Sequence, residues 1–244
     1  SYTVKIHRPN YQELRSNVEY YSPLEFSSGN TSLKSSMIHN VSLLSTYKNF
    51  NAILSYKYIK NPIVQTVGQF KNNESILYTS ENLSKYQQLS FSISWSKAIG
   101  CWTSFINTSL QKPFMEYNGK KYNSAIFSLS FNNVIALNNG YTFYFDTSFF
   151  TGGHIMLYNY KPRGNVNLGL SKSFFKDKLG VDLSWTDIFK TNKDKKHLQS
   201  LNIDLIKSSY RNLNGIMLTV TYKFNSQRSR YSGSNAGISE RSRL

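Results

Sequence analysis

With 244 residues and 29 Lys and Arg against 13 Asp and Glu, the chain carries a net charge of +16 at neutral pH. Its single cysteine excludes an intramolecular disulfide, and no run approaches the 18 apolar residues of a membrane-spanning helix. In a soluble protein such a charge points to nucleic acid, but the basic residues, among them Lys57, Lys120, Lys121, Lys161, Arg163, Lys193, Lys195, Lys196 and Arg211, are scattered, with no basic helix or nucleic-acid module, so nucleic acid is not an expected partner.

From the start of the chain onward the residues alternate with a period of two. A first strand is expected at Ser1-Tyr2-Thr3-Val4-Lys5-Ile6-His7. Val41, Leu43 and Tyr47 then alternate with Ser42 and Thr46, and Ala52, Leu54, Tyr56 and Tyr58 with Ser55 and Lys57. Leu89, Phe91, Ile93 and Trp95 face Ser90, Ser92, Ser94 and Ser96 in the cleanest instance. Ala125, Phe127, Leu129 and Phe131 follow, then Tyr141, Phe143, Phe145 and Phe149, then Val166, Leu168, Leu170 and Phe174. Val181, Leu183, Trp185 and Phe189 come next, and Ile216, Leu218, Val220, Tyr222 and Phe224 close the series. Because successive strand side chains point to opposite faces, each segment has one apolar and one hydroxyl- or amide-rich face. The chain is therefore expected to be all-β, with roughly ten strands.

The connections separate the two kinds of β protein that share this alternation. Very short ones are expected at Lys48–Asn51, Ala98–Cys101, Leu137–Gly140 and Phe175–Gly180. Long ones are expected at Pro9–Met37, around Lys71–Ser75, and at Gln111–Tyr122, Thr151–Gly164 and Thr191–Leu213. Short turns on one side and long loops on the other mark an antiparallel transmembrane β-barrel, in which alternate residues touch lipid and the lumen is polar. That also explains a mean hydropathy of −0.44 in a membrane protein, since no continuous apolar run is needed. Aromatics make up 15% of the residues, and Tyr47, Tyr56, Tyr58, Trp95, Trp102, Tyr122, Tyr141, Trp185 and Tyr222 are candidates for interfacial girdles. The alternative architecture is a secreted β-sandwich, which would bury the apolar faces against each other and act as an adhesive surface protein.

Ordered motifs add to this pattern. Residues 8–34 contain Arg8-Pro9-Asn10-Tyr11-Gln12-Glu13-Leu14, an aromatic stretch, and Gly29-Asn30-Thr31-Ser32-Leu33-Lys34. These resemble the R-P-x-Y-x-x-L and G-N-P-x-L-K-P elements of TonB-dependent outer-membrane receptors in the outer-membrane protein β-barrel family, with Thr31 and Ser35 where prolines are usual. Asp187-Ile188-Phe189-Lys190-Thr191 resembles the family's D-I-F-N-T, Tyr222-Lys223-Phe224 its final-strand Y-R-F, and the end of the chain, Glu240-Arg241-Ser242-Arg243-Leu244, its closing segment.

The resemblance implies a receptor of the bacterial outer membrane. Such receptors have a barrel of about 22 strands and an N-terminal plug through which TonB acts. On that basis residues 1–224 are expected to form the C-terminal part of the barrel, roughly its last ten strands, and residues 225–244 a polar periplasmic tail. A self-contained ten-stranded barrel is the alternative. The expected partners are outer-membrane lipid and lipopolysaccharide, the plug and remaining strands of the parent receptor, TonB through that plug, and the barrel-assembly machinery through the last strand.

Chemistry is not expected. The histidines, His7, His39, His154 and His197, fall in different hairpins. Asp146 and His154 are separated by about 25 Å of extended strand, no nucleophile motif is present, and no histidine pair or second cysteine offers metal-ligand spacing beside Cys101. No catalytic, cofactor or metal residue is assigned. Tyr11, Tyr20, Tyr21, Tyr117, Tyr158 and Tyr160 in the long connections could stack on a captured solute or simply cap the rim.

Overall fold

The structure is a computed structural model that describes residues 1–70, 75–200, 203–209 and 214–224. Arg211 and the expected tail, 225–244, lie outside the described residues. In chain order the elements are β1 (Tyr2–His7), a one-turn helix α1 (Tyr11–Leu14), β2 (Val18–Ser22), β3 (Glu25–Ser28), β4 (Ser36–Tyr47), β5 (Phe50–Lys60), β6 (Ile63–Phe70), β7 (Ser75–Asn82), β8 (Lys85–Ile99), β9 (Trp102–Phe114), β10 (Glu116–Tyr117), β11 (Lys120–Lys121), β12 (Ile126–Ala136), β13 (Tyr141–Phe150), β14 (Gly153–Ile155), β15 (Tyr158–Tyr160), β16 (Arg163–Phe174), β17 (Leu179–Thr186), β18 (Asp194–Ser200), β19 (Ile203–Ser209) and β20 (Gly215–Tyr222).

Ten of these strands form one sheet in the order β1-β4-β5-β8-β9-β12-β13-β16-β17-β20, with every neighbouring pair antiparallel. This is the wall of the barrel. It is not closed, since β1 and β20 stand at opposite edges of the sheet. Several of its strands, such as β9 with 13 residues and β13 with 10, reach or exceed the roughly 9–11 residues a tilted strand needs to cross a bilayer.

Register turns the sequence alternation into two chemically distinct faces. One row reads Leu43, Leu54, Phe91, Leu110, Phe127, and another reads Ile99, Trp102, Ile135, Phe143, Leu170, Leu183, Leu218. Paired residues share a face, so these rows make a continuous apolar surface. Among the described residues no second sheet covers it: Phe91 is 41% exposed and Val220 61%, and Phe91, Phe127, Phe143 and Val220 all lie outside the buried cluster. A sandwich would have buried these residues, so the wall is not half of one.

Asn133 breaks the alternation by standing on the apolar face, in the row Ser104, Asn133, Phe145, Leu168, Trp185. It is only 4% exposed. The Trp102 indole donates to its Oδ1 at 2.9 Å, and its amide donates to the Phe145 carbonyl at 3.2 Å. Asn133 is thus tolerated on this face because it is hydrogen-bonded and covered.

All the tight turns fall on one rim. They lie at Lys48-Asn49, Gly100-Cys101, 138–140 and 175–178, where Lys48, Gly100, Asn139, Gly140, Phe175, Lys176 and Asp177 take up positive φ. Cys101 is therefore an exposed turn residue. Tyr47, Phe50, Trp102, Tyr141, Phe174 and Tyr222 flank these turns on the apolar face, the arrangement of an interfacial collar. The Lys172 ammonium sits 3.7 Å from the centre of the Tyr141 ring.

The long connections all leave from the opposite rim, and they are folded rather than irregular. β2, β3, β7 and β6 form a four-stranded sheet in which β3 and β7 run parallel. β14, β15, β18 and β19 form a second, and β10 and β11 a short hairpin. The excursion expected around Lys71–Ser75 is longer than that, since it includes both β6 and β7, and 71–74 lie outside the described residues. The strand expected to reach Phe189 ends at Thr186.

The hydrophobic core belongs to this cap. Val64, Val67, Tyr78, Leu83, Tyr86, Met115, Tyr122, Leu157 and Leu198 pack together, and Ile76, Tyr158, Ile203 and Leu205 lie against them. Tyr122, expected in a girdle, is instead 3% exposed inside this core. Both faces of β6 are partly covered, so its pattern lacks the strict alternation that made the wall strands readable.

Candidate functional site

The face of the wall opposite the apolar rows carries hydroxyls and amides. One row runs Ser94, Asn107, Ser130, Ser148, Asn165, and the next runs Ser92, Ser109, Ser128, Phe150, Arg163. Neighbours bond to one another: the Ser109 and Ser128 hydroxyls are 2.7 Å apart, Asn132 donates to Ser130, and Ser148 donates to Asn165. Between these rows lies a recess of about 420 Å³, lined by Ser92, Asn107, Ser109, Ser128, Ser130 and Ser148 among others. At its upper end Arg163 bonds Asp194 at 2.5 Å, with its guanidinium 5.1 Å from the centre of the Phe150 ring. Farther down the same face are Asp146, between Asn132 and Asn167, and Asp182, between Ser171 and Thr219. Tyr144 also faces this side, lying over Gly169, where an added Cβ would stand 3.3 Å from its ring. Such a surface offers many weak, neutral hydrogen-bonding partners.

Specific contacts join the parts of the cap to one another. The Tyr158 hydroxyl donates to Gln65 at 2.9 Å, and the Tyr78 hydroxyl donates to Glu25 at 2.9 Å. Lys207 lies 4.0 Å from the centre of the Tyr78 ring, and Lys196 lies 4.5 Å from that of Tyr158. Burial, reinforced by the bond to Glu25, pushes the Tyr78 phenol well above its ordinary range, and burial lowers the Lys207 ammonium. Burial also raises Tyr158. These tyrosines act as neutral donors that tie the cap together.

The sequence candidates divide accordingly. Tyr11 (84%), Tyr20 and Tyr21 are exposed on the first excursion. Tyr117 and Tyr158 pack against the cap core, and Tyr160 meets Phe150 edge-on at 6.4 Å. The histidines are held apart: His39 lies 2.8 Å from the Tyr2 hydroxyl, His154 accepts from the Ser124 N–H, and His197 bonds Asp204. Burial, with Lys120 nearby, lowers the pKa of His154. Among the described residues no three His, Cys, Asp or Glu side chains cluster as metal ligands.

The motif residues turn out to tie the first excursion to α1 and to β7. Asn10 and Glu13 form a reciprocal capping box around α1. Gly29 lies flat on that turn, where a Cβ would stand 2.6 Å from the Glu13 and Arg15 carbonyl oxygens. Asn30 then donates through its backbone to Glu13 and through its amide to Ser80 on β7, and the Lys34 backbone pairs with the Asn82 side chain.

Asp187 does the same for the other end of the wall. It is 1% exposed, accepts the Thr191 N–H at 3.1 Å and the Asn192 N–H at 3.3 Å, and receives the Asn214 amide on its carbonyl. Its own N–H donates to Asn167. Asp187→Ala strands the Thr191 and Asn192 N–H groups and is expected to cost about 1–3 kcal/mol, read as a lower urea midpoint in lipid vesicles. Asp187→Asn, which keeps one acceptor oxygen, should lose less, and equal losses would show that the carboxylate bonds do not hold the turn.

No curated protein matches the sequence. Among solved structures the siderophore receptor PirA from Pseudomonas aeruginosa is similar, with a TM-score of 0.56 and 13% identity over 78% of this chain and 35% of that one. At that identity the likeness shows the fold, and the chain spans about a third of that receptor's length. The model of the outer membrane protein β-barrel family matches residues 1–222. The tight turns are therefore periplasmic, the cap is extracellular, and the apolar rows face acyl chains. The chain belongs to the outer membrane protein β-barrel family and is a protein of the bacterial outer membrane.

Proposed function

We propose that this chain is the wall and outer cap of a TonB-dependent receptor that imports a solute across the outer membrane. The observation that carries the reading is the pairing of a folded extracellular cap with a hydroxyl- and amide-rich inner wall. A passive pore has no use for a cap with its own buried core, whereas a receptor does: the cap captures the solute and the hydroxyl- and amide-rich wall lets it pass by exchange of weak hydrogen bonds. In this reading residues 1–224 form the last ten strands of a larger barrel and 225–244 a periplasmic tail. The unpaired outer edges of β1 and β20 support further strands over closure of these ten alone. The plug and its contact with TonB belong to the parent receptor, and the last strand, which ends in Tyr222 two residues before Phe224, is what the assembly machinery grips. The role is binding and passage, without catalysis or a cofactor, and the solved neighbour's role as a siderophore receptor agrees with it in class.

The test is uptake by cells that carry the intact protein, compared with cells in which 63–82, the β6–β7 hairpin, is replaced by a short Gly/Ser turn. Uptake should fall in the deletion strain and in a strain lacking TonB. Unchanged uptake after deletion would refute the capture role, and unchanged uptake without TonB would refute energy coupling.

A further inference from the structure

Between α1 and the sheet of β2, β3, β7 and β6 lies a recess of about 180 Å³. Register puts Glu19, Ser27, Tyr78 and Val67 in one row of that sheet, with Ser80 and Gln65 paired in the next row on the same face. Tyr21, two residues beyond Glu19, lines the recess and is 64% exposed. Asn10, Gln12, Glu13 and Arg15 enclose it from the side of α1, and Gly29 completes the wall. The two motifs of the first excursion, within 8–14 and 29–34, thus both contribute to it.

Several polar groups here are left without partners. The Arg15 guanidinium pairs with Glu19, but its Nε–H is buried and finds no acceptor among the described residues. Such an orphan donor is costly unless an acceptor is brought to it. Glu13 uses Oε2 to accept the Asn10 N–H, and Gln65 uses its amide oxygen to accept the Tyr158 hydroxyl. Among the described residues no hydrogen bond engages the side chains of Gln12, Ser27 or Ser80.

Charge and polarity narrow the guest. One cation and one carboxylate line the recess, Arg15 and Glu13, and the cation is already met by Glu19. In a chain of net charge +16 this recess has no excess of positive charge, so it is not built to select an anion. Apart from the rings of Tyr21 and Tyr78 the lining side chains are polar, so an apolar guest gains little. An uncharged guest with several hydroxyls and one flat C–H face satisfies all of these features. We propose that this recess binds one ring of a neutral saccharide, its C–H face on Tyr21 and its hydroxyls on Gln12, Glu13, Arg15, Ser27 and Ser80. The assignment names a solute class for the capture role of the cap and rests on that reading. It also separates Tyr21 from Tyr117 and Tyr158, whose rings are committed to the cap core.

The test uses the intact protein in a polyoxyethylene detergent, whose headgroup carries no sugar. The probes are the methyl glycosides of glucose, galactose, mannose and N-acetylglucosamine, with methyl glucuronide as the charged counterpart, and affinity is read by saturation-transfer NMR. At least one neutral glycoside should bind, and more tightly than the glucuronide. Tyr21→Ala is expected to weaken it about tenfold and Gln12→Ala about fivefold, whereas Tyr21→Phe, which keeps the ring, should match the wild type. Both residues are exposed, so neither truncation threatens the fold. Binding of none of the neutral glycosides, preference for the glucuronide, or unchanged affinity in both truncations would each overturn the proposal. Binding to the purified protein needs no TonB, so the two readings fail separately. TonB-dependent uptake of another solute with no saccharide bound removes the saccharide class alone, and saccharide binding with uptake indifferent to TonB keeps the site but removes import.

Discussion

Phe145→Arg is expected to destabilise the wall by about 2–4 kcal/mol, and Tyr144→Arg by clearly less. The two positions are adjacent on β13, halfway along a strand that runs from Tyr141 to Phe150, so they sit at the same depth in the bilayer. Phe145 pairs with Leu168 on the apolar face and packs edge-on against Phe131 at 6.1 Å. An arginine there places a guanidinium among acyl chains at the midplane, where it cannot reach either interface. Tyr144 lies over Gly169 on the hydroxyl-lined face, among Ser184 and its neighbours, and an arginine there stays in water. Urea unfolding in lipid vesicles measures both. Equal costs would mean that the two faces see the same medium and would remove the assignment of inside and outside.

This difference between neighbours is also why the wall was legible in the sequence. A strand with lipid on one side and water on the other is written in a strict period of two, and Leu89 to Ser96 on β8 obeys it residue by residue. The tight turns were legible because positive φ calls for residues such as Gly100, Asn139 and Gly140. The cap was not legible as structure. Its strands are short, as in β14 with three residues and β10 with two, and β6 is covered on both faces, so Val64, Thr66 and Val67 are all buried. Tyr122 shows the limit of composition: an aromatic near a strand end serves a girdle or a core, and only the fold decides. The motif residues were legible as a resemblance, but their physical work was not. That Gly29 must lack a side chain to lie on α1, or that Asp187 is held between Asn167 and Asn214 at the top of β17, follows from contacts distant in sequence.

The separation of core from wall leads to the second large effect. Leu198→Ala is expected to cost about 2–5 kcal/mol, and that loss should fall on the cap while the wall stays folded. Leu198 is completely buried, as Leu157 nearly is, at the centre of the cluster that joins the two extracellular sheets. Truncating it leaves a cavity between β18 and the residues of β6 and β15 that pack there. The wall shares this cluster only at its upper strand ends, through Ile59, Tyr86 and, less deeply, Ile38, and its remaining strands are held by hydrogen-bonded ladders and lipid. Parts of one chain with separate cores open separately. Amide hydrogen exchange should therefore quicken in β6, β7, β18 and β19, and a protease added outside the cell should cut the cap, while amides of β8, β9 and β12 keep their protection. If wall and cap lose protection together, the cap is a structural clamp on the barrel rather than an independently opening cover, and a cover that cannot open on its own is poorly suited to admit a solute.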